Sequence, residues 1–298
     1  MVADRSRLPV LAAFAAVYFV WGSTFLAIAW AVETIPPLSM MAIRCLIGGA
    51  ILLGMWRVTE RGAPWPAVRE WGGSAVVGML FFVGCHGLLA HEEQFVPSGI
   101  AALCLATIPL FVPLLAWRLT DSGPPTTRTA LALLAAFLGV AVLVAAQGSG
   151  GGLSGIDAAL LLFCAFSWAA GTVLSRIVPV PHSPLAAGGA ALLCGGVVLS
   201  AVAPFGESVD VSAISGKSVL GLSYLILAGT VVTFSAYMWL LGRVAPTRVA
   251  TYAFVNPVVA VLLGWALADE TLDAATLAAT AVIVAAVAVA VTARPRLN

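Results

Sequence analysis

The chain has 298 residues, 61% of them hydrophobic and 9% charged, with a mean hydropathy of +1.07 and a formal net charge of +1. A soluble domain carries about a quarter charged residues because its surface must be wet. Fourteen Lys and Arg with thirteen Asp and Glu cannot wet a globule of this size. That excludes a soluble enzyme, a disordered chain, and a nucleic-acid binder, which would need a basic surplus. The expectation is an all-α integral membrane protein whose first partner is the lipid bilayer.

A helix that crosses the ~30 Å hydrocarbon core needs about 20 mainly apolar residues. Ten such runs follow one another: 9–32, 38–57, 71–91, 97–118, 129–146, 157–177, 183–204, 218–241, 246–268 and 273–293. Turn chemistry separates them at Ile35-Pro36-Pro37, Ala63-Pro64-Trp65-Pro66, Gly123-Pro124-Pro125, Gly148–Gly152 and Pro179-Val180-Pro181. The runs are too long and too continuously apolar for barrel strands. Ala27-Ile28-Ala29 resembles a signal-peptidase site, but the run before it is long and interrupted by Trp21-Gly22-Ser23-Thr24, so no cleavage is expected. Cys45, Cys85, Cys104, Cys164 and Cys194 each lie alone in an apolar run and read as small buried hydrophobes.

Basic residues test this count, because cytoplasmic loops collect them. With the N-terminus inside, Arg5, Arg7, Arg57, Arg61, Arg69, Arg118, Arg128, Arg176, Arg243, Arg248, Arg294 and Arg296 all fall on the inner side. Only Lys217 falls outside, and Arg44 lies within a span. Ten spans with both termini cytoplasmic follow.

The chain also repeats. Trp21 and Trp168, Pro37 and Pro184, and Gly48-Gly49 and Gly195-Gly196 are each 147 residues apart. Pro97 and Pro246 are 149 apart, while Pro109/Pro257, Trp117/Trp265 and Asp121/Asp269 are 148 apart. The expected units are 9–146 and 157–293, five helices each, so the second enters the membrane from the opposite face. Inverted repeats of this kind are a feature of transporters, with substrate held at the midplane between the halves. Pro109 and Pro257 fall about midway along the fourth and ninth spans, where an interrupted helix lines a binding site or serves packing alone.

Polar groups inside the spans are the candidates for chemistry. Arg44 is a functional site by default or an interfacial anchor with its stem snorkelling outward. Glu33, Glu92 and Glu93 are its candidate partners. His86, with His91-Glu92-Glu93 closing the third span, suits proton coupling, although an aqueous acidic loop explains Glu92 and Glu93 as well. The five-residue spacing of His86 and His91 is poor for a shared metal, and no metal or other cofactor is expected. An aromatic and hydroxyl set sits at middle depth: Trp21, Ser23 and Thr24 in span one, Trp168 and Thr172 in span six. Thr230, Thr233 and Tyr237 lie in span eight, with Tyr252 and Asn256 in span nine. With Pro109, Pro257 and His86 these are the candidate substrate-binding residues; interhelical packing is the alternative for each. Gly216-Lys217-Ser218 is no P-loop, since Val211 stands where the first glycine belongs. No catalytic residues are assigned, and ATP hydrolysis is not expected.

Trp21-Gly22-Ser23-Thr24-Phe25, Glu33, Pro36-Pro37 and Arg44 resemble the opening of EamA-type proteins of the drug/metabolite transporter superfamily, in particular a YedA-type bacterial inner-membrane subgroup. Val96–Ala102 and Ile108-Pro109-Leu110-Phe111 resemble that family's fourth helix. Tyr252–Gly264 with Glu270-Thr271-Leu272 resembles its ninth helix and the loop that follows. The resemblance covers nearly the whole chain. It implies ten helices in two repeats, a central cavity, and export of amino acids or related small metabolites from the bacterial cytoplasm. The rival readings are a multidrug or toxic-cation exporter, a membrane-embedded enzyme, and a non-transporting scaffold. The second copy departs from the pattern: Trp168-Ala169-Ala170-Gly171-Thr172 replaces the first motif, and Ala191 stands opposite Arg44.

Overall fold

The computed structural model describes residues 7–147, 153–241, 243–244, 249 and 251–292; Arg5, Gly148–Gly152, Pro246, Arg248, Arg294 and Arg296 lie outside them. The described residues are helical with no strand. Among the described residues eight helices are long and apolar enough to cross a membrane: α1 (Leu8–Val32), α2 (Pro37–Thr59), α3 (Val68–Glu92), α4 (Ser98–Leu119), α5 (Thr127–Ala146), α6 (Gly155–Leu174), α7 (Pro184–Phe205) and α8 (Gly216–Tyr237). Two shorter apolar helices follow, α9 (Tyr252–Leu267) and α10 (Ala274–Val289). The expected span 246–268 is therefore described as continuous helix only from Tyr252.

The helix starts reflect their sequence. Pro37 and Pro184 open α2 and α7 at the first helical position, where a missing N–H costs nothing. Ser154 caps α6 through the Asp157 N–H, and Asp157 accepts a bond from the Ser154 N–H. The two prolines expected to kink matching helices behave differently. In α4 the helix breaks at Ala106-Thr107, and Pro109 is the second residue of the new segment Ile108–Leu119. Pro257 instead lies inside the unbroken α9. One proline sits where a helix begins and the other within its interior, so only the second removes an intrahelical bond.

The packing has an internal order. α1 packs on α8 and α9, while α6 packs on α3 and α4. α2 packs on α8 as α7 does on α3, and α2·α7, α4·α9 and α5·α10 pair directly. Exchanging each helix for the one five places on leaves this set of contacts unchanged. Glycines permit the closest approaches: a Cβ on Gly49 would stand 3.0 Å from the Gly189 carbonyl oxygen, and one on Gly189 would stand 3.1 Å from that of Gly49. Such small-residue contacts replace the hydrophobic effect as a driving force between helices in lipid.

Two carboxylates fix the direction of the α2·α7 pair. Glu207, just past the end of α7, accepts the N–H groups of Leu38 (2.7 Å) and Ser39 (2.9 Å) and the Ser39 hydroxyl (2.8 Å) at the start of α2. Glu60, just past the end of α2, accepts the Ser183 hydroxyl (2.5 Å) at the start of α7. Each helix ends where the other begins, so α2 and α7 are antiparallel.

Candidate functional site

Among the described residues three stretches are π-helical: Ala16–Val20 in α1, Met79–Gly87 in α3 and Leu225–Val232 in α8. Such winding is rare and frequent at functional sites. Those in α3 and α8 are repeat mates, and polar side chains take up carbonyls within them. In α8, the Thr233 hydroxyl donates to Ala228 O (2.8 Å) and the Thr230 hydroxyl to Leu225 O (2.9 Å). In α3, His86 Nδ1 donates to Phe81 O (3.1 Å). His86 and Thr233 are 147 residues apart, as are Phe81 and Ala228. The imidazole and the hydroxyl thus perform the same backbone task in the two halves. The π segment of α1 is served from α9: with its amide nitrogen turned toward them, Asn256 donates to the carbonyls of Tyr18 (3.0 Å) and Val17 (3.2 Å).

Each repeat tryptophan stands against one of these segments. Trp21 Nε1 donates to Gly229 O (3.0 Å), and its ring meets Tyr237 (5.1 Å between centroids) and Tyr252 (5.2 Å), which lie 5.9 Å from each other. Trp168 stacks on Phe81 (4.3 Å) and meets the edge of His86 (4.8 Å) and Phe82 (6.5 Å). The aromatic candidates therefore divide into two clusters, one on α1, α8 and α9 and one on α3 and α6, while Pro109 stands apart on α4. The serine and threonine hydroxyls of the candidate set are committed as donors to their own helices, Ser23 to Val20 O (2.9 Å), Thr24 to Trp21 O (2.6 Å) and Thr172 to Trp168 O (2.9 Å). Ser23 also shares a bond with the Tyr224 hydroxyl (2.6 Å). What such hydroxyls offer a ligand is lone pairs. Apart from these clusters, a groove of about 390 Å³ opens beside the α9–α10 turn, lined by Trp265, Asp269, Glu270, Thr271, Leu272 and Asp273.

The charged candidates separate as well. Arg44 is only 6% exposed, and its Nε donates to the Thr230 hydroxyl (3.2 Å). The snorkelling alternative is set aside, since the guanidinium turns inward to α8. Glu33 is not its partner: it pairs with Lys217, a half-exposed contact between the ends of α1 and α8 in which Lys217 also lies over the Trp30 ring. Glu92 and Glu93, 3% and 6% exposed, are buried and do not form an aqueous loop. Backbone hydrogen bonds close the end of α3 on itself, with the Phe95 and Val96 N–H groups both donating to Glu92 O (2.9 Å each).

The sequence profile of the EamA-like transporter family matches residues 8–145 and again 156–292. The chain belongs to the EamA-like transporter family. It is 38% identical over 286 residues to the uncharacterized inner membrane transporter YedA of Escherichia coli (strain K12), covering 95% of this chain and 90% of that one. It is 28% identical over 262 residues to Protein PecM of Dickeya dadantii, covering 87% and 84%. A protein of known crystal structure, 22% identical, superposes over 99% of this chain and all of its own with a TM-score of 0.65, a likeness of fold. As an EamA-like transporter with at least eight membrane-crossing helices, the protein is a multi-pass inner membrane protein.

Two carboxylates of this EamA-like chain, Glu60 and Glu207, are absent from the sequence reading, and a third, Glu270, enters it only within a motif of resemblance and not as a site residue. Glu60 and Glu207 tie α2 to α7, and Glu270 accepts the N–H groups of Ser98 (2.7 Å) and Gly99 (3.0 Å) and the Ser98 hydroxyl (2.6 Å) at the start of α4. The signal for the first two was present, since Glu60 and Glu207 are also 147 apart. The third has no counterpart: Ser122 occupies its place in the first half. Arg44 is equally one-sided, with the Arg44–Thr230 bond replaced by Ala191 and Val83 in the other half.

Proposed function

We propose that this protein exports amino acids or related small metabolites by alternating access, without ATP hydrolysis or catalysis, from a site between two inverted five-helix repeats with both termini cytoplasmic. The observation that carries this reading is the pair of tryptophan clusters at repeat-equivalent positions, each against a π-helical stretch of the opposite half. Matching contacts in both halves are what a rocking mechanism exchanges. The antiparallel α2·α7 pair supports the inversion, because helices equivalent by repeat then run in opposite directions. Aromatic faces with lone pairs beside them suit an amphipathic metabolite carrying N–H donors.

The test is reconstitution in liposomes with a panel of labelled amino acids and, in parallel, lipophilic cations. Flux of amino acids that falls at least tenfold in both Trp21→Ala and Trp168→Ala, with the fold retained by circular dichroism, supports the reading. Movement of the cations alone would transfer it to a multidrug exporter. Absence of flux for both classes would sink it.

A further inference from the structure

Two carboxylic acids meet near the end of α3 in opposite surroundings. Glu270 accepts three hydrogen bonds at the start of α4, from the Ser98 and Gly99 N–H groups and the Ser98 hydroxyl. Glu93, one residue past α3, is 6% exposed, and neither of its oxygens makes a hydrogen bond of ordinary length and angle. The groups that face it are Glu270 from the α9–α10 turn, Arg44 from α2, Cys164 from α6 and the Ala29 backbone of α1, with Glu92 its chain neighbour. No cation stands within ion-pair distance of it among the described residues.

An ionised carboxylate buried without donors is costly, and a second anion nearby adds to the cost. Two carboxyl groups that share a site do not both ionise freely, and of these two only Glu270 has hydrogen-bond donors of ordinary geometry. We propose that Glu93 is a proton-binding site in the interior, occupied at neutral pH, with Arg44 the group that faces its charge when the proton leaves. Burial first, then the Glu270 charge, holds this carboxyl well above the usual carboxylate range, while Arg44 acts in the opposite direction. His86 is a weaker candidate for the same task because its Nδ1 proton is held by Phe81 O. Resting on the export reading, Glu93 is then the residue that exchanges the coupling proton.

The test does not depend on transport. Infrared spectra of the full-length protein in nanodiscs, titrated with pH, should show the carbonyl band of a protonated carboxylic acid persisting at neutral pH. Glu93→Gln should abolish it, and Glu92→Gln should leave it. Thermal unfolding supplies a second readout. A carboxyl whose pKa is raised on folding makes stability fall as pH climbs from the ordinary carboxylate range toward the folded value, so wild type should lose melting temperature over that window and Glu93→Gln should lose less. Glu270→Gln, which keeps an acceptor on α4 but removes the neighbouring charge, should move the band's titration to lower pH. The proposal is overturned if the band is absent from wild type, survives in Glu93→Gln, disappears in Glu92→Gln, or titrates unchanged in Glu270→Gln. It is equally overturned if Glu93→Gln keeps the wild-type melting profile.

Discussion

Arg44 shows how one polar contact gives a buried charge a fixed place. Its guanidinium has left water for the interface of α2 and α8, and Thr230 offers the oxygen that receives Nε. Thr230 can do so because its own proton goes to Leu225 O, leaving lone pairs for the arginine. Thr230→Val keeps the shape and removes the acceptor, stranding a buried charged donor at a cost of about 1–3 kcal/mol. Thr233→Val removes only a neutral bond to Ala228 O, with an expected loss of roughly 0.5–1.5 kcal/mol. Melting temperatures of the two variants in the same detergent should therefore differ, Thr230→Val being the lower; equal losses would show that the arginine does not depend on this hydroxyl. At the start of α2, Glu207→Ala removes the acceptor for Leu38, Ser39 and the Ser39 hydroxyl together. Loss of a helix cap costs about 0.5–2 kcal/mol, so this variant should also melt early, whereas Glu207→Gln should retain part of the difference.

At the level of helices, sequence was informative where a signal ran along the chain and poor where it ran across it. Apolar run length located α1 to α8 within a few residues, because bilayer thickness sets helix length. Proline placement announced the starts of α2 and α7. The π-helical stretches of α3 and α8 had no such announcement, since their winding depends on which side chain takes which carbonyl after packing. The aromatic set was found as a list, but its division into two clusters needed the pairing of α1 with α8 and α6 with α3. Helix contact also explains which glycines matter. A Cβ on Gly78 would stand 2.3 Å from the Ala191 carbonyl oxygen of α7, a backbone atom that cannot turn aside. Overpacking costs about 1–3 kcal/mol even where side chains can yield, so Gly78→Ala should fall at or beyond the top of that range. Gly54 lies on the exposed face of α2, where an added Cβ would have nothing within 4 Å, and Gly54→Ala should be neutral or stabilise by up to ~1 kcal/mol. Equal unfolding midpoints for the two variants would contradict the α3·α7 contact.

For the whole molecule, the arrangement of charge and the arrangement of helices make one joint prediction about orientation. Arg57 lies over the Trp56 and Trp65 rings, Arg118 over Trp117 and Arg243 over Trp239, all at helix ends that the basic-residue rule assigns to the cytoplasm. Cations on aromatic faces at the ends of spans are the expected form of an interfacial anchor. The opposite ends hold Lys217 paired with Glu33, and the carboxylates Glu207 and Glu270 on helix starts. The two faces can be told apart by labelling, because Cys45, Cys85, Cys104 and Cys164 are buried and Cys194 is half-buried, which keeps the background low. Ala213, exposed between α7 and α8, and Gly123, exposed between α4 and α5, are suitable reporters. In intact cells, Ala213→Cys should react with a membrane-impermeant maleimide, and Gly123→Cys should react only after permeabilisation. The reverse pattern would invert the assigned orientation while keeping the helix count. Reaction of both in intact cells would break the alternation itself, and with it the argument that an odd number of helices per repeat turns the second copy over.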